Sequence, residues 1–244
     1  MPPSPSTATD LHGQEFADGQ RVHQSIVDAV LSQRLPPGTR LVETPLCEAF
    51  GVNRSLLRRV FVRLANEKVI ELQHNRGASV AQPSQDEMHE VFDARRVIES
   101  GIVRRLCQCG KPAQFAGLRV LVTEERQAYE SGDRARWLRL SGEYHLAAAR
   151  TLANPELEAL MHRLVARTTL MKALYHAPGG SVCSFDEHAA IVDAMAEGDI
   201  ERATDLMDRH LQSSEGKLRQ EPEREVDLLQ LFKPTTRKAA SRGR

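Results

Sequence analysis

Apolar residues first recur at helical spacing in Val22, Ile26, Val30 and Leu31, and the stripe ends near Arg34. Pro36-Pro37-Gly38 breaks it, and Arg40-Leu41-Val42-Glu43 reads as a short strand. Thr44 ahead of Pro45 reads as the N-cap of a short helix with Leu46, Cys47 and Phe50 on its inner face. Gly51 supplies a left-handed turn. Asn53 caps a second helix, in which Leu57, Val60 (or Phe61) and Leu64 face inward. Two short apolar runs follow, Val69-Ile70-Glu71-Leu72 and Ala78-Ser79-Val80, joined through His74-Asn75-Arg76-Gly77. The pattern predicts a helix-turn-helix with a β-wing.

The period changes at Ser84. Ser84 and Glu87 form a capping box, and the chain beyond reads as six helices at about 85–108, 112–130, 133–152, 155–176, 185–197 and 200–217. Asn154-Pro155, Ser184 with Glu187, and Asp199 mark helix starts. Long helices with short connections predict an antiparallel bundle. The expected fold is therefore mainly α: a disordered leader over 1–15, a winged helix-turn-helix over 16–83, an all-helical domain over 84–217, and a charged, flexible tail over 218–244 containing the apolar cluster Leu228 to Phe232.

Composition narrows the class. The chain has 244 residues and 41% apolar content, enough for packed cores. No apolar run approaches the roughly 18 residues of a membrane helix. The first residues lack the basic start and apolar centre of a signal peptide. Cys47, Cys107, Cys109 and Cys183 fall in helical patterns and read as reduced thiols of a cytoplasmic protein. A net charge of zero hides segregation. Arg54, Arg58, Arg59, Arg63, Lys68 and Arg76 crowd the segment from Gly51 to Val80, opposed by Glu67 and Glu71 alone, and the end from Lys233 to Arg244 is basic without an acid. A local basic patch suits a protein that touches duplex DNA with one end. The helix from Asn53 is expected in the major groove, with Arg54 and Arg58 on bases or phosphates and Arg59 adding charge. Thr44, Asn53 and Ser55 are placed near phosphates, and Arg76 and Gly77 at the wing tip near the minor groove. Arg63 and Lys68 read as surface charges.

Polar residues on apolar stripes mark the second domain. Leu138, Ser141, His145, Ala148 and Leu152 share a face, as do His188, Ile191, Val192 and Met195, and Ala203, Leu206, Met207 and His210. A single buried histidine is most often a hydrogen-bonded core residue. Three converging imidazoles are also a reasonable site for a divalent transition metal such as zinc or nickel. Met88, Phe92, Arg95 and Ile102 place Arg95 inside as a fork for a carboxylate, although Glu99 four residues on can simply pair with it. Arg167 flanks the stripe of Leu160, Leu164 and Met171 as a second effector-binding candidate. A metal-dependent hydrolase using the three histidines is the competing reading. It is disfavoured because Glu143 and Glu187 are expected to point away, leaving no inner-face base. An architectural DNA protein would not need polar groups inside its bundle.

Several of these segments carry a family resemblance. Pro37-Gly38-Thr39-Arg40-Leu41, Glu43, Gly51-Val52-Asn53-Arg54-Ser55-Leu56-Leu57-Arg58 and Asn75-Arg76-Gly77 resemble the GntR-family winged helix. Arg95 and Glu99, Tyr144-His145, Asn154-Pro155, and His188 with Asp199, Ala203 and His210 resemble the FCD domain of its FadR-type branch, with six helices as in the VanR-type subgroup. The resemblance covers roughly residues 20–215. It implies a homodimeric transcription factor, commonly a repressor, released from its DNA operator by a small organic acid. It also implies a metal held by an Asp and three His. His145, His188 and His210 supply the histidines, and Ser141 stands at the Asp position. Leu56 and Arg59 also depart from the family pattern, where Pro and Glu are usual.

Overall fold

The computed structural model describes residues 6–73, 77–175, 184–218 and 226–232. Helix α1 (Ser6–Leu31) opens the chain, so helix replaces the disordered leader expected over 1–15 from Ser6 onward. The buried stripe of α1 is the expected one, Val22, Ile26, Val30 and Leu31. Strand β1 is only Arg40–Leu41, because Glu43 already begins α2 (Glu43–Phe50). Thr44 is consequently a first-turn residue and not the N-cap; Val42 holds that place without a side-chain cap. Gly51 ends α2 at φ 66°, a left-handed backbone that a Cβ would strain.

Helix α3 (Arg54–Asn66) starts where Asn53 Oδ1 accepts the Leu56 N–H at 2.8 Å. Leu56, Leu57, Val60, Phe61 and Leu64 form its buried face. Strands β2 (Ile70–Gln73) and β3 (Gly77–Val80) pair antiparallel, with Leu72 opposite Ala78, and β1 adds to the far edge of β3. The wing tip at 74–76, including Arg76, lies outside the described residues.

Six helices build the second domain: α4 (Gln85–Cys109), α5 (Pro112–Glu130), α6 (Arg134–Arg150), α7 (Pro155–Tyr175), α8 (Ser184–Glu197) and α9 (Ile200–Gly216). Their starts obey the sequence. Ser84 Oγ accepts the Glu87 N–H, Asn154 Oδ1 that of Leu157, and Asp199 Oδ1 that of Arg202. Helix α4 packs on α9 and α7, α5 on α6 and α8, and α6 on α7. Gly142 lets α6 approach α7 closely: a Cβ there would lie 2.9 Å from Thr169 Oγ1 and 3.1 Å from Val165 Cγ1.

The two domains touch along α1. Arg139 of α6 donates to Asp28 at 2.6 Å, and Tyr175 OH reaches the Pro83 carbonyl at 3.4 Å. Between α1 and the α6–α7 pair lies a cleft of about 410 Å³, bordered by Val27, Leu31, Leu146, Val165 and Leu170. The apolar cluster of the tail is a short helix, α10 (Leu228–Phe232), docked on α2. Leu228 is buried, and the Phe232 ring sits 4.8 Å from that of Phe50. This part of the tail is therefore a packed element of the head. Among the described residues no helix is long and apolar enough to cross a membrane.

Candidate functional site: an exposed arginine helix and a buried histidine cluster

The first site is the outer face of α3. Arg54, Ser55, Arg58 and Arg59 are exposed while the intervening leucines are buried, so one amphipathic helix separates the two. Each guanidinium has an acceptor at hand. Arg54 Nη2 donates to Thr44 Oγ1 at 3.1 Å, which accounts for Thr44 although it does not cap α2. Arg58 forks onto Glu43 at 2.7 and 3.1 Å. Arg59 reaches Ser55 Oγ at 3.1 Å and also pairs with Glu15. Bonding to Arg58 holds the Glu43 carboxyl below its ordinary range. Gly77 is exposed at φ 84° beside the wing tip. Six of the eight expected DNA contacts, Thr44, Asn53, Arg54, Ser55, Arg58 and Arg59, thus gather on one exposed face where α2 meets α3. Exposed ion pairs of this kind contribute at most about 1 kcal/mol, so phosphates can displace them.

The second site is inside the bundle. His145 on α6, His188 on α8 and His210 on α9 are all buried, and one nitrogen of each lies within 4.8 Å of the others. Each ring is oriented by a carboxylate. His145 Nδ1 meets Glu99 at 2.5 Å, His188 Nδ1 meets Glu125 at 2.7 Å, and His210 Nδ1 meets Glu187 at 2.6 Å. A carboxylate only accepts, so each Nδ1 carries a proton and each ring turns its Nε2 inward. Burial, with Arg95 and His188 next, pushes the His145 pKa well below the ordinary range. His210 is lowered likewise, by burial first and then by His188 and His145. Both rings are therefore neutral. Tyr144 stacks on His188 with centroids 3.9 Å apart.

The Nε2 atoms of His188 and His210 are 3.2 Å apart. Two lone pairs do not face each other at that distance without a proton or a metal cation between them. Nitrogens bound roughly 2.0–2.1 Å from a tetrahedral zinc lie about 3.3 Å apart, which matches this spacing. His145 Nε2 is a third lone pair, buried and without a hydrogen-bond partner. One proton shared by His188 and His210 leaves it unserved. The residues present therefore fit a divalent transition metal with three imidazole ligands. A carboxylate on each opposite ring nitrogen is the usual support for such ligands.

Ser141 Oγ, at the position where a carboxylate ligand was expected by resemblance, is buried one turn from His145 and also lacks a partner. A neutral hydroxyl contributes no charge to such a site. Arg95 is buried as expected. Its Nε donates to Glu99 at 2.7 Å and its Nη1 to Thr168 Oγ1 at 2.7 Å, and among the described residues its Nη2 has no partner. Arg167 does not join this group: its guanidinium turns to Glu87, and both side chains are partly solvated.

The sequence reading missed the carboxylates. Glu187 does point away from its neighbour His188, but toward His210. Glu125, fully buried on α5, was not singled out, although Phe115, Leu118, Val122 and Glu125 follow one helical stripe. Ser184 opens α8 as expected but spends its hydroxyl on Glu125. Each histidine therefore has an inward carboxylate, Glu99, Glu125 or Glu187, where the sequence reading expected none.

The comparisons place both domains in known families. Residues 19–80 match the model of "Bacterial regulatory proteins, gntR family", and residues 90–213 match that of the "FCD domain". The chain is 35% identical over 88 residues, 36% of either chain, to the gluconate operon transcriptional repressor of Bacillus licheniformis. It is 25% identical over 194 residues to the galactonate operon transcriptional repressor of Escherichia coli K12, covering 67% of this chain and 80% of that one. A solved GntR regulator from Rhodococcus sp. RHA1 shares the fold at TM-score 0.70 and 23% identity, covering 82% of this chain and 96% of the other. None of these relatives is an enzyme. The protein belongs to the GntR family of bacterial DNA-binding transcriptional regulators, with an FCD domain as its C-terminal half.

Proposed function

We propose that the protein is a homodimeric repressor that leaves its operator when a small carboxylic acid enters the bundle. The observation carrying this reading is the histidine cluster, with three inward-turned Nε2 atoms and a carboxylate behind each ring. His145, His188 and His210 would hold a divalent transition metal such as zinc or nickel. The metal would supply a fixed positive charge for an anion in an otherwise apolar interior. Arg95 adds a guanidinium with one free Nη2. Two relatives are named for gluconate and galactonate operons, and both acids are small hydroxy-carboxylates.

On the DNA side, α3 enters the major groove with Arg54 and Arg58 foremost and Arg59 beside them. Asn53, Ser55 and Thr44 approach phosphates, and Arg76 and Gly77 approach the minor groove. Two heads reading a palindrome need a fixed spacing, which the bundle provides by dimerising. The link between sites runs through α6 and α7. Ser141 and His145 lie on one side of α6, and on another Arg139 bonds Asp28 of the head. Helix α7 carries Thr168 against Arg95 and Leu170 toward α1. A ligand that shifts either helix therefore moves the surface on which the head rests. It changes DNA affinity only by the difference in its own affinity for the two arrangements.

Elemental analysis of protein purified without chelator, beside a His188→Ala variant, tests the metal. We expect close to one ion per chain in the wild type and loss in the variant; no metal in either ends this part of the reading. Fluorescence anisotropy on duplex enriched by the protein from a random library, with a panel of organic acids, tests regulation. If no acid weakens binding, the sensor reading falls.

A further inference from the structure

Among the described residues Lys172 is a buried cation of the bundle that no carboxylate pairs directly, although the charges of Glu125, Glu187 and Glu99 reach it. It lies on α7, one turn beyond Thr168, and only 8% of the residue is exposed. Among the described residues its ammonium forms no ion pair, whereas buried Arg95 has Glu99. The Thr168–Arg95 bond at 2.7 Å places this face of α7 directly against the guanidinium. Burial, and next the Arg95 charge, lowers the Lys172 pKa to about 8. The Arg95 and Lys172 charges repel each other in a low-dielectric interior, and Glu99, Glu125 and Glu187 offset that repulsion only in part, since Lys172 stays lowered. In the same bundle Arg95 Nη2, Ser141 Oγ and Tyr144 OH are buried and have no hydrogen-bond partner among the described residues. Native interiors rarely leave so many polar atoms unpaired.

We infer that Lys172 is an effector-recognition residue, and that its ammonium and the free Nη2 of Arg95 grip one carboxylate group of the ligand. The inference rests on the sensor reading above and adds to it the residue that selects the ligand. It gives Lys172 the role expected of Arg167, whose guanidinium is engaged at the solvated Glu87. The charge balance also sets the ligand class. With a divalent ion bound and Lys172 protonated, the ion, Arg95 and Lys172 carry one positive charge more than Glu99, Glu125 and Glu187 neutralise. One carboxylate cancels that excess, and a phosphate dianion overshoots it. Ser141 and Tyr144 stand ready to bond neutral oxygens of the same molecule, as a hydroxy-acid would offer.

The test uses the full chain with and without added zinc, titrated with acetate, acetamide and inorganic phosphate, and followed by calorimetry and thermal shift. Wild-type protein is expected to bind acetate saturably, better than phosphate, and not to bind acetamide. Lys172→Met removes the charge and keeps the length, and is expected to weaken acetate at least roughly ten-fold. Lys172→Arg is expected to restore part of the loss, and Arg167→Met to leave acetate binding unchanged. If Lys172→Met does not fold, Lys172→Gln carries the measurement. Equal acetate affinity in wild type and variant, acetamide binding as well as acetate, or no acetate binding by wild type would each overturn the inference. The two readings separate on DNA. If acetate depends on Lys172 but no acid weakens DNA binding, regulation fails and the recognition role stands. If acids release DNA equally from wild type and Lys172→Met, regulation stands and the recognition role fails.

Discussion

The head and the bundle use polar side chains in opposite ways. On α3, Arg54, Arg58 and Arg59 lie in water, each resting on a neighbour that it can leave. In the bundle, His145, His188 and His210 are sealed from water, and each is bound to a carboxylate. Exposed charges tolerate an incomplete set of partners because water completes it. Buried groups do not, and each unmet donor or acceptor costs about 1–3 kcal/mol. An unpaired arginine on α3 would therefore say little. The orphaned His145 Nε2, Arg95 Nη2 and Ser141 Oγ say that something else belongs among them.

The largest effects should come from breaking the buried side of this contrast. Glu125→Ala strips His188 Nδ1 and Ser184 Oγ of their partner at a site with no solvent exposure. Breaking a buried charged pair costs about 3–5 kcal/mol, so a large fall in Tm is expected, deeper than for any single change on the exposed face of α3. A drop of under a degree would show that the bundle's polar groups are as replaceable as the head's. The matching change outside is Arg58→Ala. It is expected to leave Tm within the usual small range of a surface substitution, about ±0.5 kcal/mol. Specific DNA affinity should fall by the about 1–3 kcal/mol that an arginine–guanine pair supplies, read by anisotropy on library-enriched duplex. Unchanged affinity would remove Arg58 from the interface.

Legibility in the sequence follows the same division. Helix boundaries in the bundle were readable to within a residue or two, because caps such as Ser84, Asn154 and Asp199 are local chemistry and the stripes are periodic. The three histidines were readable because they interrupt apolar stripes. Their carboxylates were not, because a contact between α5 and α8, or between α8 and α9, depends on how helices cross. Glu125 and Lys172 nevertheless sit in stripes of their own, the latter after Met161, Val165 and Thr168. Attention to apolar residues alone passed over them. At the ends of the chain the reading went wrong for a different reason. The Leu228 to Phe232 cluster gains order from a neighbour distant in sequence, Phe50, which no local pattern announces, and α1 extends back into the leader, where Glu15 pairs with Arg59.

A smaller effect is expected from Phe232→Ala, which tests whether α10 belongs to the head. Loss of its ring contact with Phe50 should cost about 1 kcal/mol and loosen α2. Hydrogen exchange at the amides of α2 reads this directly; unaltered protection there would mean that α10 rests on the head without supporting it.

The smallest change sharpens the comparison most, because stability and function should respond in different ways. Glu43 forks onto Arg58 at the surface, with their side chains 28% and 67% exposed. Glu43→Gln removes a pair worth at most about 1 kcal/mol, so Tm should barely move. At the DNA face the same substitution removes a negative charge facing phosphates and frees Arg58 from a competing acceptor. Binding should therefore tighten a few-fold at low salt, with the gain shrinking as salt rises. A Glu125→Gln change in the bundle offers no such gain, since nothing waits to take the place of the lost carboxylate. If Glu43→Gln instead weakens DNA binding, Glu43 is aiming Arg58, and the outer face is as closely organised as the inner one.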